Sequence, residues 1–239
     1  MKRLIRNFFN IFGYEIRSIH RKNFSINGIQ YETDPYSVGK TPQGQMTAEG
    51  AVRMIKERNL KNLKILDICC GTGIVGLTVY SMLKDNSIIE DMAFGDINIF
   101  NIFSVKKTLS LNKLNNISNN MFRQFLTDGL QNIPDDEKFD IIISNPPHFL
   151  SVDPTQDNNA CSPIRLGTND ANWAFHKSFY SDCHEYLSDN GEVWFLENGS
   201  GANESDLLPY IKANDQLRYV KMIKEELDMR FFWMISEKA

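Results

Sequence analysis

The sequence predicts an α/β fold with a mostly parallel sheet covered by helices on both faces. Short, nearly continuous apolar runs alternate with longer segments whose apolar residues recur three and four apart, which is the pattern of strand–helix units. Neither an internal repeat nor a linker separating two cores interrupts the 239 residues. The expectation is one α/β domain with an N-terminal extension.

The elements follow in order. The opening stretch "MKRLIRNFFNIFGYEIRSIH" reads as an amphipathic helical arm, with Leu4, Phe8, Ile11 and Phe12 on one stripe and Lys2, Arg3, Arg6 and Arg17 elsewhere. Residues 24–46 are rich in Gly, Pro, Asn and Thr and predict a hairpin around Asn27-Gly28, then a loop. Residues 1–46 therefore form an arm and a hairpin or lid. Thr47 is the expected N-cap of a helix reaching about Asn59. Beyond it, "LKILDIC" is a strand, "GIVGLTVYSML" a helix, "DMAFGDI" a strand and "NIFSVKKTLSLNKL" a helix. "NMFRQFLTD" holds a strand, "FDIIISN" is another, 173–188 is a helix and "GEVWFLENG" a strand. "DLLPYIKAN" is a short helix, and "LRYVKMI" and "RFFWMIS" are terminal strands.

Composition narrows the function classes. Apolar content of 42% with 23% charged residues suits a chain that fills its own core. A net charge of −4 argues against clamping nucleic acid by bulk charge. Cys69, Cys70, Cys161 and Cys183 have no CxxC spacing, so they read as reduced apolar residues of a cytoplasmic protein, with no metal expected. No apolar stretch reaches 18 residues, so no membrane span is expected.

The most informative stretch is "LDICCGTGIVG". Gly71, Gly73 and Gly76 spell GxGxxG between a strand and a helix, and Asp96 ends the next strand twenty residues on, which also matches a dinucleotide site. Asp67 separates the readings. A carboxylate beside the turn meets a like charge where a pyrophosphate would sit. It is favourable beside the ammonium and sulfonium of S-adenosylmethionine.

As a set, "LDICCGTG", "FGDIN", "LTDGL" and "FDIIISNPPH" resemble the successive motifs of class I S-adenosylmethionine-dependent methyltransferases. They are closest to the NPP[YF] branch, which includes release-factor glutamine N5-methyltransferases and rRNA guanine N2-methyltransferases. The resemblance implies a Rossmann-like seven-stranded, mostly parallel sheet with an antiparallel last strand, residues 47–239 forming that domain. It implies that Gly71 and Gly73 let the backbone approach the cofactor and that Asp67 faces its ammonium. It also implies that Asp96 accepts from the ribose hydroxyls and Asp128, with Gly129, from the adenine amino group. Cys69, Ile97 and Asn145 complete the implied cofactor-binding set; the family often has glycine at the place of Cys69. Each acid also has a plainer reading: Asp67 as a turn cap, Asp96 as a helix N-cap, Asp128 as the first residue of an Asp-Gly turn.

In the same family the Asn-Pro-Pro motif positions the acceptor. Two prolines end a strand and fix the direction of the Pro146 carbonyl. The Asn145 side-chain oxygen and that carbonyl would accept from an NH2 group, turning its lone pair toward the methyl carbon. Such positioning supplies about 7–11 kcal/mol without a strong base. His148 stands where Tyr or Phe is usual, able to stack and also to exchange a proton near neutral pH. Asn145, Pro146 and His148 are the candidate catalytic residues. Residues 149–172 form a long polar loop, read as a lid with Arg165 an anchor for an anionic group. The expected acceptor is a planar nitrogen of a small molecule, a protein glutamine or a nucleobase in RNA or DNA. A cofactor-binding module without catalysis and an NAD-dependent oxidoreductase are the alternatives.

Overall fold

The computed structural model describes residues 22–33, 37, 41–84, 88–114, 121–151 and 168–239. The expected helical arm over residues 1–20, and the stretch of polar loop holding Cys161 and Arg165, lie outside the described residues.

In chain order, β1 (Lys22–Ile26) and β2 (Ile29–Thr33) form a hairpin, followed by α1 (Thr41–Glu57), β3 (Leu63–Ile68) and α2 (Ile74–Leu83). Next come β4 (Ile89–Asp96), α3 (Ile99–Leu111), β5 (Phe122–Leu126), β6 (Phe139–Ser144), β7 (Phe149–Ser151) and β8 (Asn169–Ala171). Then α4 (Ala174–Asp182) runs through a 3₁₀ turn, Cys183–Tyr186, into β9 (Leu187–Asn198), α5 (Glu204–Lys212), β10 (Leu217–Lys224) and β11 (Phe231–Lys238).

Seven strands form one sheet in the order β10-β11-β9-β6-β3-β4-β5. β3 runs parallel to β4 and β6, β4 to β5, and β6 to β9, while β11 is antiparallel to both β9 and β10. The Rossmann-like sheet expected from the resemblance is present, with the antiparallel strand lying inside the sheet between β9 and β10. Strand order reverses between β3 and β6, and the crevice at their carboxyl ends is where such sheets bind ligands.

Alternate side chains of each strand feed two cores. Leu63 and Ile65 of β3, with Trp194 and Leu196 of β9, pack toward α1, α2 and α3. Leu66 and Ile68, with Val193 and Phe195, pack toward α4 and α5. Asp67 shares the parity of Ile65, and Glu197 that of Phe195, so both acids enter positions where the strand pattern calls for an apolar residue.

Two expectations are corrected. The first helix begins at Thr41, not at Thr47, with Pro42 in the first turn, where its missing N–H costs no hydrogen bond. Thr47 is wholly buried inside that helix, its hydroxyl donating to the Gln43 carbonyl at 2.8 Å. The helix expected over 173–188 is shorter. Trp173 sits at φ 58°, so the helix starts after it, and the chain is extended from Leu187 on.

The expected hairpin turns at Asn27 (φ 47°) and Gly28 (φ 79°), the left-handed pair that matches strand twist. It packs on the helices: the Tyr31 hydroxyl lies 3.2 Å from Thr78 Oγ1, and Asn112 exchanges two hydrogen bonds with the Gln30 backbone.

Candidate active site

The carboxyl edge of the sheet gathers the motif residues. Ser144, the last residue of β6, donates its hydroxyl to the Ile68 carbonyl at 2.6 Å, joining the Asn-Pro-Pro turn to the end of β3. The Cys70 amide donates to the Gly95 carbonyl at 3.0 Å, and the Thr127 amide to the Asp96 carbonyl at 3.0 Å. Asp67, the loop from Cys69 to Gly73, Asp96 with Ile97, Asp128 with Gly129, and Asn145 to His148 thus share one rim.

The glycine loop owes its shape to three left-handed residues: Cys69 (φ 54°), Gly71 (φ 55°) and Gly73 (φ 77°). The turn places a non-glycine residue in that region at Cys69, at a cost of about 1–2 kcal/mol. A Cβ on Gly76 would lie 2.7 Å from Phe94 Cε1 and 3.2 Å from Asp67 Oδ2, so only glycine lets α2 seat against β3 and β4.

Asp67 is buried. Its Oδ2 accepts from the Gly76 amide at 2.9 Å, while its Oδ1 is buried with no partner. Burial pushes its pKa up to about 8, against the Gly76 hydrogen bond and with help from the Asp96 charge. Asp96 is nearly as buried: one oxygen accepts from the Gly71 amide and the other from the Asn98 amide, each at 2.8 Å. Burial raises it to about 6 although those hydrogen bonds pull it down. The helix N-cap is Asn98, which accepts from the Phe100 amide, so Asp96 ties the glycine loop to the β4–α3 turn instead. Asp128 and Ile97 are exposed, and Gly129 takes φ 54°, its carbonyl accepting from the buried Thr127 hydroxyl at 2.9 Å.

Asn145 is half-buried, and its side-chain oxygen is buried without a hydrogen-bond partner. Pro146 and Pro147 are buried. The His148 ring lies edge-on to Phe149 and Phe231 at centroid distances of 5.8 and 6.3 Å. At the two ends of the stretch expected as a lid, β7 and β8 pair as a short parallel ladder.

Residues 49–226 match the family model described as the methyltransferase small domain. The chain belongs to that family of methyltransferases. The family uses S-adenosylmethionine. The chain is 29% identical over 112 residues to a release factor glutamine methyltransferase of Clostridium botulinum, covering 45% of this chain and 35% of that protein. It is 34% identical over 90 residues to a ribosomal RNA small subunit methyltransferase of Haemophilus influenzae, covering 38% of this chain and 24% of that one. Among solved structures, a 16S rRNA guanine-N2 methyltransferase of Thermus thermophilus, in complex with AdoMet and guanosine, aligns with a TM-score of 0.59. That alignment is 16% identical and covers 92% of this chain and 50% of the other. The chain spans about a third or less of the length of the two curated relatives.

The chain also holds a buried polar cluster that sequence reasoning missed. His176 of α4, wholly buried, has Nδ1 2.6 Å from Asp170 Oδ2 and Nε2 3.0 Å from Glu197 Oε1. Burial alone would lower His176, but the Glu197 carboxylate and the hydrogen bonds to both acids raise it to about 9. Burial would raise Glu197, yet His176 and the nearby His148 hold it down at about 2. Spacing offers no signal for His176 or Asp170. Glu197 carries one, as an acid on an inward position of an apolar strand.

These shifts fix the pH dependence of stability. Asp67 and Asp96 have folded pKa values above their ordinary 3.8, so the folded state binds more protons than the unfolded one from about pH 4 up to 6 and 8. His176 is raised likewise, and its contribution is lost between about pH 6.5 and 9. Glu197 acts oppositely, losing its contribution only below about pH 4.5. Thermal melts of the ligand-free protein are expected to peak near pH 4, where the gain from Glu197 gives way to the losses from Asp67 and Asp96, and to fall continuously toward pH 9. A melting temperature that rises from pH 5 to 8 would contradict these assignments.

Among the described residues, no group of three His, Cys, Asp or Glu is arranged to hold a metal, and no helix is long and apolar enough to cross a membrane.

Proposed function

We propose that this chain transfers the methyl group of S-adenosylmethionine to a planar nitrogen, an amide or exocyclic amino group. The observation that carries the reading is the Asn145 side-chain oxygen, buried and unpartnered beside Pro146 at the carboxyl end of β6. An unmet buried acceptor costs about 1–3 kcal/mol, and an incoming NH2 group relieves it.

The residues present suit the cofactor. Asp67 Oδ1 and Thr72 Oγ1 are further buried polar atoms without partners. The first is an acceptor for an ammonium, and the second a hydroxyl in the glycine loop itself. Gly71 and Gly73 open the backbone to the methionine portion. Asp96, a two-oxygen acceptor at the end of β4 that already ties down the Gly71 and Asn98 amides, would accept the ribose hydroxyls. Asp128, Gly129, Ile97 and Cys69 line the same rim as adenine-side and loop contacts. When bound, the cofactor supplies an electrophilic methyl on a sulfonium. Asn145 and the Pro146 carbonyl orient the acceptor nitrogen, and the ring of His148 flanks it.

The acceptor framework is a small molecule, a protein glutamine or a nucleobase. The curated relatives are named for release-factor glutamine and ribosomal RNA. We place the reaction in the cytoplasm, where the free thiols of Cys69, Cys70 and Cys183 stay reduced.

Calorimetry is expected to show binding of S-adenosylmethionine and none of NAD. Methyl-labelled S-adenosylmethionine is then incubated with lysate fractions treated with protease, treated with nuclease, or filtered to small molecules. The fraction whose treatment removes the label names the acceptor class. Label released by mild alkali as a carboxyl ester, in place of a stable N-methyl product, would overturn the nitrogen assignment.

A further inference from the structure

The place of an aromatic residue in the motif is taken by His148, and the fold puts a buried acid directly behind it. His148 Nδ1 and Glu197 Oε2 face one another at 3.5 Å. Each is buried, and neither has another hydrogen-bond partner. This separation exceeds a hydrogen bond, but a small ring rotation closes it, and active-site hydrogen bonds commonly tighten only when substrate binds. Glu197 is wholly buried, and its other oxygen is held 3.0 Å from His176 Nε2. Asp170 in turn holds His176 Nδ1 and caps the start of α4 through the Phe175 and His176 amides, at 2.9 and 3.1 Å. The four side chains form one line, Asp170–His176–Glu197–His148, from the interior to the Asn-Pro-Pro-His turn.

Charge counting gives the line a direction. Two carboxylates share one imidazolium, so the inner three groups sum to one negative charge that ends at Glu197, against His148. An ionised carboxylate only accepts hydrogen bonds. A neutral His148 ring therefore carries its proton on Nδ1, turned inward, and leaves the lone pair on Nε2. With Nδ1 buried, the 11% of the side chain that stays exposed belongs to the rest of the ring. Around the ring, β11 contributes Phe231 and the chain itself Phe149. The turn after β9 contributes Gly201, whose Cα lies so close to the His148 carbonyl that no Cβ fits. Among the described residues, the charged group set against His148 is Glu197.

We propose that Glu197 is a positioning residue that fixes the His148 tautomer, so that His148 Nε2 takes the proton shed by the acceptor nitrogen. This rests on the nitrogen-methylation reading. As the N–C bond forms and the C–S bond breaks with its electron pair going to sulfur, the alkylated nitrogen becomes cationic. One of its N–H protons then passes to Nε2, and the imidazolium so formed is stabilised by Glu197. A Tyr or Phe at this place stacks but supplies no such base. Proton transfer to a placed base contributes about 10²–10⁴-fold in rate.

The test reads the tautomer directly. Long-range proton–nitrogen spectra of the protein saturated with S-adenosylhomocysteine are expected to show His148 protonated on Nδ1 alone, and His176 protonated on both nitrogens. Glu197→Gln is expected to abolish that preference at His148. A wild-type His148 protonated on Nε2, or a tautomer unchanged by Glu197→Gln, overturns the proposal. Should Glu197→Gln not fold, the wild-type spectrum still decides, together with His148→Phe, which keeps a ring. In the labelled-methyl assay on the acceptor-bearing lysate fraction, His148→Phe is expected to lose about 100-fold in rate and the acid limb of the pH profile. Adding Glu197→Gln to it should cost nothing further, whereas an equal additional loss marks a purely structural Glu197. Failure of the wild type to bind S-adenosylhomocysteine would instead sink the methyltransfer reading, and is seen separately as the absence of binding heat.

Discussion

Replacing Asn145 with alanine is expected to lower methyl transfer by about 10³-fold while leaving affinity for S-adenosylmethionine within about threefold of wild type. The estimate follows from removing one member of a preorganised hydrogen-bonding pair, which costs about 10²–10³-fold in turnover. It sits at the upper end because Asn145 offers the side-chain half of that pair, leaving the Pro146 carbonyl alone to orient the nitrogen. Among the described residues Asn145 Oδ1 has no partner, so losing that oxygen breaks no hydrogen bond and the loss of turnover is read apart from any loss of stability. Equilibrium binding of the cofactor with single-turnover transfer into the acceptor fraction separates the two effects. Wild-type turnover in Asn145→Ala would remove this residue from the chemistry.

Gly201→Ala is expected to reach the same motif from a distance in sequence of more than fifty residues. Gly201 follows β9 and adopts ordinary backbone angles, so the restriction is one of space. A Cβ there would run into the His148 carbonyl oxygen and lie 2.7 Å from Phe149 Cδ1 and 3.0 Å from the His148 carbonyl carbon. Backbone atoms cannot rotate aside as a side-chain tip can, so the Asn-Pro-Pro-His turn must shift. Overpacking of this kind costs about 1–3 kcal/mol, and a displacement of about 1 Å at a reacting group costs about 100-fold in rate. A folded Gly201→Ala protein with a melting point lowered by several degrees and turnover reduced about 100-fold is the expected result. Unchanged kinetics would mean that the turn tolerates the shift.

The seven strands were legible because a parallel sheet buried on both faces leaves near-continuous apolar runs, as in "FDIIIS" and "LKILDI". The rim residues were legible because loop chemistry is local: glycines at the left-handed positions 71 and 73, and acids at the ends of β3 and β4. Their detailed work was not. Asp96 was readable as a helix cap, yet its oxygens go to the Gly71 and Asn98 amides, and the cap is Asn98. The start of α1 was misplaced by six residues because Thr47 has the chemistry of a cap, while Pro42 carried the stronger signal. Glu197, His176 and Asp170 stayed hidden because no periodicity links residues from β8, α4 and β9; only packing α4 on the sheet brings them within hydrogen-bonding distance.

The place of β11 has a consequence for how the chain becomes a protein during synthesis. It is made after both β9 and β10, yet it closes the gap between them, pairing along its length with each. Until residue 238 has left the ribosome, β9 and β10 present facing rows of unpaired backbone groups with nothing between them. The nascent chain thus carries two open edges rich in aromatic and branched residues, the state most exposed to pairing with other chains. Completion of the sheet waits on β11, and a chain cut short before that strand is one that aggregates.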